Sequence, residues 1–130
     1  MIVPKNLPDS LPDNVRDNPQ DNDNVVLVYT TFPDSTSAKQ VGGELVGQGL
    51  AACVNILPGM VSLYRWQGVL ETSDEVVMII KTRAGRVDDL VREVERRHPY
   101  DTPAVLTFAA SGGSPAYIDW IRQMTTPQQH

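Results

Sequence analysis

The chain has 130 residues, 41% of them hydrophobic and 21% charged, which is typical of a single globular domain. Its net charge is −5 and its sequence pI is about 4.8, so a nucleic-acid partner, which needs a basic face, is not expected. No run approaches the roughly 20 apolar residues that span a bilayer, and the N-terminal residues lack the apolar core of a secretory signal. The single cysteine, Cys53, excludes an intramolecular disulfide and a structural zinc site of several thiolates. A small acidic cytosolic domain without membrane insertion is therefore predicted.

The first 23 residues differ in composition from the rest of the chain. They contain four prolines and five aspartates against two cations, and their apolar residues are too sparse to build a core. Such a segment cannot bury enough surface to offset its ordering entropy. Residues 1–23 are therefore predicted to form a disordered acidic tail, with a short partner-binding arm as the alternative. The folded domain is predicted over 24–126, with a short C-terminal tail over 127–130.

Within the folded domain, breaker-free runs of β-branched and aromatic residues predict strands, and apolar residues at helical spacing predict helices. In chain order these are a strand at 24–32, a helix at 38–46 with Asp34 as N-cap, strands at 50–57 and 60–66, a short hairpin arm at 69–70, a strand at 74–83, a helix at 87–98, a strand at 104–110 and a helix from Pro115. Pro58-Gly59 predicts a bulge, and Gln67-Gly68 predicts a turn. Glycines inside the first helix, Gly42 and Gly43, indicate close packing against another backbone.

The order of these elements is that of the ferredoxin-like fold, an α+β class, with one helix added at the C-terminus. Its sheet is antiparallel with strand order 4-1-3-2, and both long helices cover one face. Residues 25–28 and 76–80 are apolar on both faces, whereas a strand with one wet face should alternate. No spare segment is expected to cover the second face, so a second subunit is predicted there.

Three residues are candidates for metal binding or nucleophilic chemistry. Cys53 is a nucleophile, a soft-metal ligand or simply a small buried hydrophobe. His98 lies in a loop stiffened by prolines, and it is either a metal ligand or general base, or a cap on its helix. Asp101 is near enough in sequence to orient the imidazole or share a metal. A catalytic triad of the three is not expected within one chain, because the strand order separates Cys53 and His98 by about 14 Å.

Two further groups have alternative interpretations. Trp66, at the tip of the predicted hairpin, is either an interface anchor or the lid of a pocket. Lys81 and Arg83 either bind an anion or form a solvated charge cluster with surface carboxylates such as Glu75.

Short stretches of this chain, taken in order, resemble the CutA family of divalent-cation tolerance proteins. They are residues 28–31, 50–56, 64–68, 74–76, 80–82 and 98–100, followed by Pro103, Tyr117 and Trp120. The resemblance covers about residues 25–122 and leaves out the acidic tail. There are two departures: the family commonly has Glu where this chain has Gln67, which removes a carboxylate, and Glu where it has Asp101, which shortens the reach of the charge.

The resemblance implies a tight homotrimer in the cytoplasm, a link to divalent-cation tolerance, binding of copper or another divalent cation that is not needed for folding, and no catalytic activity. The metal-ligand candidates are His98, Cys53 and Asp101. The candidates for a cleft or subunit interface are Tyr64, Trp66, Lys81, Tyr100 and Trp120. The alternative function is a small-ligand sensor or trimeric adaptor that uses clefts between subunits. A Cys-dependent enzyme is disfavoured by the strand order.

Overall fold

The computed structural model describes residues 23–127 as a four-stranded antiparallel sheet with three α-helices, which confirms the predicted α+β class. The strands are β1 (Val25–Phe32), β2 (Cys53–Trp66), β3 (Val69–Arg83) and β4 (Val105–Ala109), and the helices are α1 (Ser35–Gly47), α2 (Val87–Arg97) and α3 (Pro115–Met124). A 3-10 turn, Ala84–Arg86, leads into α2. The predicted tails lie outside the described residues except at Asp23 and Pro127.

The sheet order is β2-β3-β1-β4, which is the predicted order read from the other edge. The predicted bulge lies between Leu57 and Met60, where the register between β2 and β3 shifts. The predicted turn at Gln67 and Gly68 has positive φ at both residues, 50° and 82°, as a two-residue hairpin requires. Pairing continues from this turn as far as Met60 opposite Glu75, where the bulge begins, so β3 begins at Val69 and the hairpin is longer than the sequence predicted.

Helices α1 and α2 cover one face of the sheet, where the main core lies. Alternate residues of β1 and β3 point into this core and are fully buried, among them Val28, Phe32, Met78 and Ile80. Helix α1 begins after Asp34, whose side chain accepts a hydrogen bond from the Ser37 amide at 2.7 Å, as predicted. The core holds both helices against the strands by apolar burial.

The two glycines of α1 have different environments. A Cβ at Gly42 would lie 2.8 Å from Val54 Cγ2 and 3.2 Å from Met78 Sδ, so the helix lies directly on side chains of the sheet. A Cβ at Gly43 would meet nothing within 4 Å. The predicted close packing is therefore found at Gly42 and not at Gly43, and the neighbours are side chains rather than backbone.

Helix α3 lies on the opposite face of the sheet, where Ile121 packs against Val25 and Ala52. The expectation that no segment of this chain covers the second face is wrong at this end, because the chain turns back over the sheet after β4. Beyond α3 the same face is apolar and open. We call this area the open sheet face; its apolar residues are Leu27, Tyr29, Leu57, Val77, Ile79, Leu106 and Phe108, and the exposed Asn55 lies opposite Ile79.

Between residues 23 and 127, none of the helices has the length and apolar character needed to cross a membrane.

Candidate functional site

A cleft of about 740 Å³ opens between the β2–β3 hairpin and the segment that joins α2 to β4. We call it the hairpin cleft. It is lined by Thr31, Tyr64, Trp66, Glu71, Ser73, Glu75, Tyr100, Asp101, Thr102 and Ala104. The structure therefore brings together three of the predicted cleft residues, Tyr64, Trp66 and Tyr100, and adds the predicted metal ligand Asp101.

The carboxylate of Glu75 is held at both of its oxygens. Ser62 donates a hydrogen bond to Oε1 at 2.6 Å, and the Tyr100 hydroxyl donates one to Oε2 at 2.9 Å. Burial by itself would raise the pKa of Glu75, but hydrogen bonds from Ser62, Tyr100 and Thr31 outweigh it and hold the pKa below its usual range. The cleft therefore contains a fixed negative charge at neutral pH.

Tyr100 is the neutral partner of that charge. Burial, together with the hydrogen bond to the Glu75 carboxylate, raises the pKa of Tyr100 to about 12, so its hydroxyl remains a donor at neutral pH. Its main chain is fixed as well, since the Tyr100 amide donates to His98 Nδ1 at 3.1 Å. The two rings lie 5.0 Å apart.

His98 links the wall of the cleft to β1. The residue is 9% exposed, and its ring stacks on Phe32 with centroids 4.3 Å apart. Because Nδ1 accepts from the Tyr100 amide, Nε2 carries the ring proton and donates to the Thr31 carbonyl at 2.7 Å. Burial lowers the pKa of His98, so the ring is neutral at pH 7. Both nitrogens bond to backbone, and the Nε2 partner is a strand carbonyl rather than the end of α2.

The predicted residues Cys53, Lys81 and Trp120 form a second group at the other end of the sheet. Lys81 Nζ donates to the Tyr117 hydroxyl at 2.9 Å, and Cys53 Sγ lies 3.7 Å from the same oxygen. This hydrogen bond raises the pKa of Lys81. The Tyr117 and Trp120 rings stack with centroids 5.7 Å apart. Lys81 thus contacts α3 and is not a partner of Glu75.

The two groups are far apart. Cys53 is opposite Lys81, which pairs with Leu27, whereas His98 contacts Thr31, four residues further along β1. That offset alone is about 13 Å. Among residues 23–127, no group of three His, Cys, Asp or Glu side chains is placed to hold a metal ion. The residues of one chain, as far as they are described, therefore do not fit a closed metal site.

Sequence reasoning missed Ser62 and interpreted Glu75 as a surface charge. A signal was available in the predicted turn at Gln67-Gly68, because a two-residue turn sets the hairpin register. Because Trp66 is opposite Val69, Ser62 is opposite Ser73, and the Ser62 side chain therefore lies diagonally across from that of Glu75.

The fold and the site define a ferredoxin-like α+β domain with an acidic, aromatic cleft beside a long hairpin. The profile of the family described as CutA1 divalent ion tolerance protein matches residues 26–124. The chain belongs to this family, as the resemblance predicted.

Relatives and solved structures agree with this assignment. Protein CutA 1, chloroplastic, from Oryza sativa subsp. japonica is 39% identical over 100 residues, 77% of this chain and 56% of that protein. The chain therefore spans little more than half the length of that relative. The divalent-cation tolerance protein CutA of Pectobacterium atrosepticum is 40% identical over 98 residues, 75% of this chain and 89% of the relative. The crystal structure of CutA from Xylella fastidiosa has a TM-score of 0.78 and 41% identity, and the match covers 79% of this chain and 99% of that one.

Proposed function

We propose that this chain is a non-catalytic, cytoplasmic homotrimer of divalent-cation tolerance that binds copper or another divalent cation through ligands from more than one subunit. The open sheet face carries the proposal. Membership of a divalent ion tolerance family supports the link to metal. Within residues 23–127 of one chain no three such ligands lie close enough to hold a metal ion, which supports sites shared between subunits.

The argument for assembly begins with apolar exposure. On the open sheet face, Leu57 is 52% exposed and Leu106 is 58% exposed. The hairpin also exposes Val61, Leu63 and Leu70, at 58%, 68% and 72%, but on the other side of the sheet, the side that faces α1 and α2. An apolar surface of this extent is typical of a subunit interface, and a second and third copy of the chain would remove it from water.

Sedimentation equilibrium tests the assembly. At micromolar concentration the full chain should sediment with about three times its mass of 14.3 kDa. Leu57→Glu and Leu106→Glu should shift the population towards smaller species, since each places a charge at the interface. Val46→Glu is a control, because Val46 is also exposed, at 42%, but lies on α1 away from the open sheet face. A folded monomer of the parent chain refutes the trimer.

The proposed metal ligands are His98, Cys53 and Asp101. Copper can bind the His98 ring only after one nitrogen gives up its backbone partner, the Thr31 carbonyl or the Tyr100 amide. Affinity should therefore be modest, and it should fall at a pH below the ordinary imidazole value of about 6.5, because burial lowers the pKa at which the His98 ring becomes protonated.

Calorimetric titration with Cu(II) tests these ligands. His98→Ala and His98→Gln should both weaken binding, and the second variant separates the loss of a ligand from the loss of packing on Phe32. Cys53→Ser should matter less for Cu(II), because the thiolate prefers softer ions. Unchanged affinity in both His98 variants rejects this site and favours the second candidate function.

The second candidate is a small-ligand sensor or adaptor, and the hairpin cleft favours it. A cleft of about 740 Å³ with aromatic walls and an ordered carboxylate has the size and lining of a small-molecule site. Titration with panels of small organic compounds, with the melting temperature of the chain as the readout, distinguishes this candidate from the metal proposal.

A further inference from the structure

We propose that the hairpin cleft binds a small organic ammonium ion, held between aromatic rings and the carboxylate of Glu75. This inference rests on the second candidate function, a small-ligand sensor, and it specifies the chemical class of the ligand. It is carried by the charge of the lining, the aromatic rings and the way Glu75 is held.

The charge of the lining selects cations. Three carboxylates line the cleft, those of Glu71, Glu75 and Asp101, and the ten lining residues include no Lys, Arg or His. Arg65 lies between two lining aromatic residues but is not part of the lining, as the alternation of side chains along a strand requires. A negative, partly enclosed surface attracts cations and repels anions.

The aromatic rings favour an organic cation over a metal ion. Tyr64, Trp66 and Tyr100 all line the cleft, and in a single chain Trp66 and Tyr64 are 62% and 45% exposed. A ring face attracts an alkylammonium group by cation–π interaction and by apolar contact, whereas a divalent ion needs converging oxygen ligands. No three carboxylates converge in this way among residues 23–127. An ammonium ion with alkyl groups needs only one carboxylate.

Glu75 supplies that carboxylate in a fixed position. Ser62 and Tyr100 bond one oxygen each, so the carboxylate does not have to be ordered when the ligand binds. A carboxylate has about four lone-pair sites, so with Ser62, Tyr100 and Thr31 as donors a site remains for a ligand N–H or for the positive edge of a methylated ammonium. The His98 ring in turn fixes the main chain of Tyr100, which makes this wall part of the folded core.

Tryptophan fluorescence of the full chain tests the proposal, with choline chloride as the probe and sodium chloride keeping ionic strength constant. The chain has two tryptophans. In Trp120→Phe the signal comes from Trp66 in the cleft, and in Trp66→Phe it comes from Trp120 on α3. Choline should produce a saturable change in the first variant, with a dissociation constant of about 1 mM or lower, and none in the second.

Two comparisons isolate the charge. The neutral isostere of choline, with carbon in place of the quaternary nitrogen, should bind at least about tenfold more weakly. Glu75→Gln, made in the Trp120→Phe background, should weaken choline binding by about tenfold, while Glu95→Gln on the exposed side of α2 should leave it unchanged. Circular dichroism of each variant confirms that the fold is retained.

The outcomes distinguish a failure of the cation proposal from a failure of the small-ligand sensor function on which it rests. If the isostere binds as tightly as choline, or Glu75→Gln binds choline like the parent, the cation proposal is overturned while the cleft remains a small-ligand site. If neither choline, the isostere nor an anionic compound such as benzoate changes the Trp66 signal in a saturable way, the cation proposal and the sensor function are both overturned.

Discussion

Replacing Gly42 with alanine tests how closely α1 lies on the sheet that carries the hairpin cleft. The added Cβ would lie 2.8 Å from Val54 Cγ2 and 3.2 Å from Met78 Sδ. Both neighbours contribute to the main core beneath the helix. Gly43→Ala is the matched control, because it makes the same change in the next residue of the helix, where a Cβ meets nothing within 4 Å.

The expected magnitudes follow from two opposing effects. Alanine stabilises a helix interior by about 1 kcal/mol relative to glycine, and both variants gain this. In Gly42→Ala the methyl group also overpacks the junction, which costs about 1–3 kcal/mol. Val54 is the stiff neighbour because it is β-branched, whereas the thioether of Met78 can shift. Gly43→Ala should therefore raise the free energy of unfolding by about 1 kcal/mol, and Gly42→Ala should lower it by up to about 2 kcal/mol.

Guanidinium unfolding followed by circular dichroism gives both values, at one chain concentration because assembly contributes to stability. Adding Val54→Ala makes room for the methyl group, so the effect of Gly42→Ala should be smaller in that background than in the parent chain. Equal stabilisation by the two single alanine variants would show that the close approach at Gly42 does not exist.

Three other perturbations probe the site and its support. Burial lowers the pKa of His98 in the folded state, so below about pH 6.5 the unfolded chain binds more protons than the folded chain. Urea titrations should therefore show the free energy of unfolding falling as the pH drops below about 6.5, and His98→Gln should lack that part of the loss. In an alkaline titration followed by tyrosinate absorbance, one group with a pKa of about 12 should disappear in Tyr100→Phe and titrate at lower pH in Glu75→Gln, and its persistence in Tyr100→Phe would refute the assignment. Thr82→Val should lower the free energy of unfolding by about 1–2 kcal/mol in chemical denaturation, because it removes the buried 2.7 Å hydrogen bond to the Leu50 carbonyl; an unchanged midpoint would contradict this.

The elements and their order could be predicted because their signals are local. The β-branched run at Val25–Phe32 and the helical spacing in Val87–Arg97 can each be recognised within a dozen residues, and so can the turn at Gln67-Gly68. Once the order of strands and helices is known, few arrangements satisfy the rules of chain connection, and the strand order follows. Aromatic residues at a hairpin tip, with His98, Tyr100 and Asp101 in a proline-rich loop, also pointed to this end of the molecule.

The composition of the cleft was decided by the tertiary structure. Glu75 and Lys81 lie on one strand, and their sequence context does not show that Glu75 bonds to Ser62 and Tyr100 while Lys81 bonds to Tyr117. These partners lie on other elements, so they depend on the hairpin register and on how the loop after α2 returns to β4. The same holds for α3, whose apolar face is clear in the sequence but whose side of the sheet is set by the path of the chain after β4. A sequence pattern specifies which face of an element is buried, and only packing in three dimensions specifies against what.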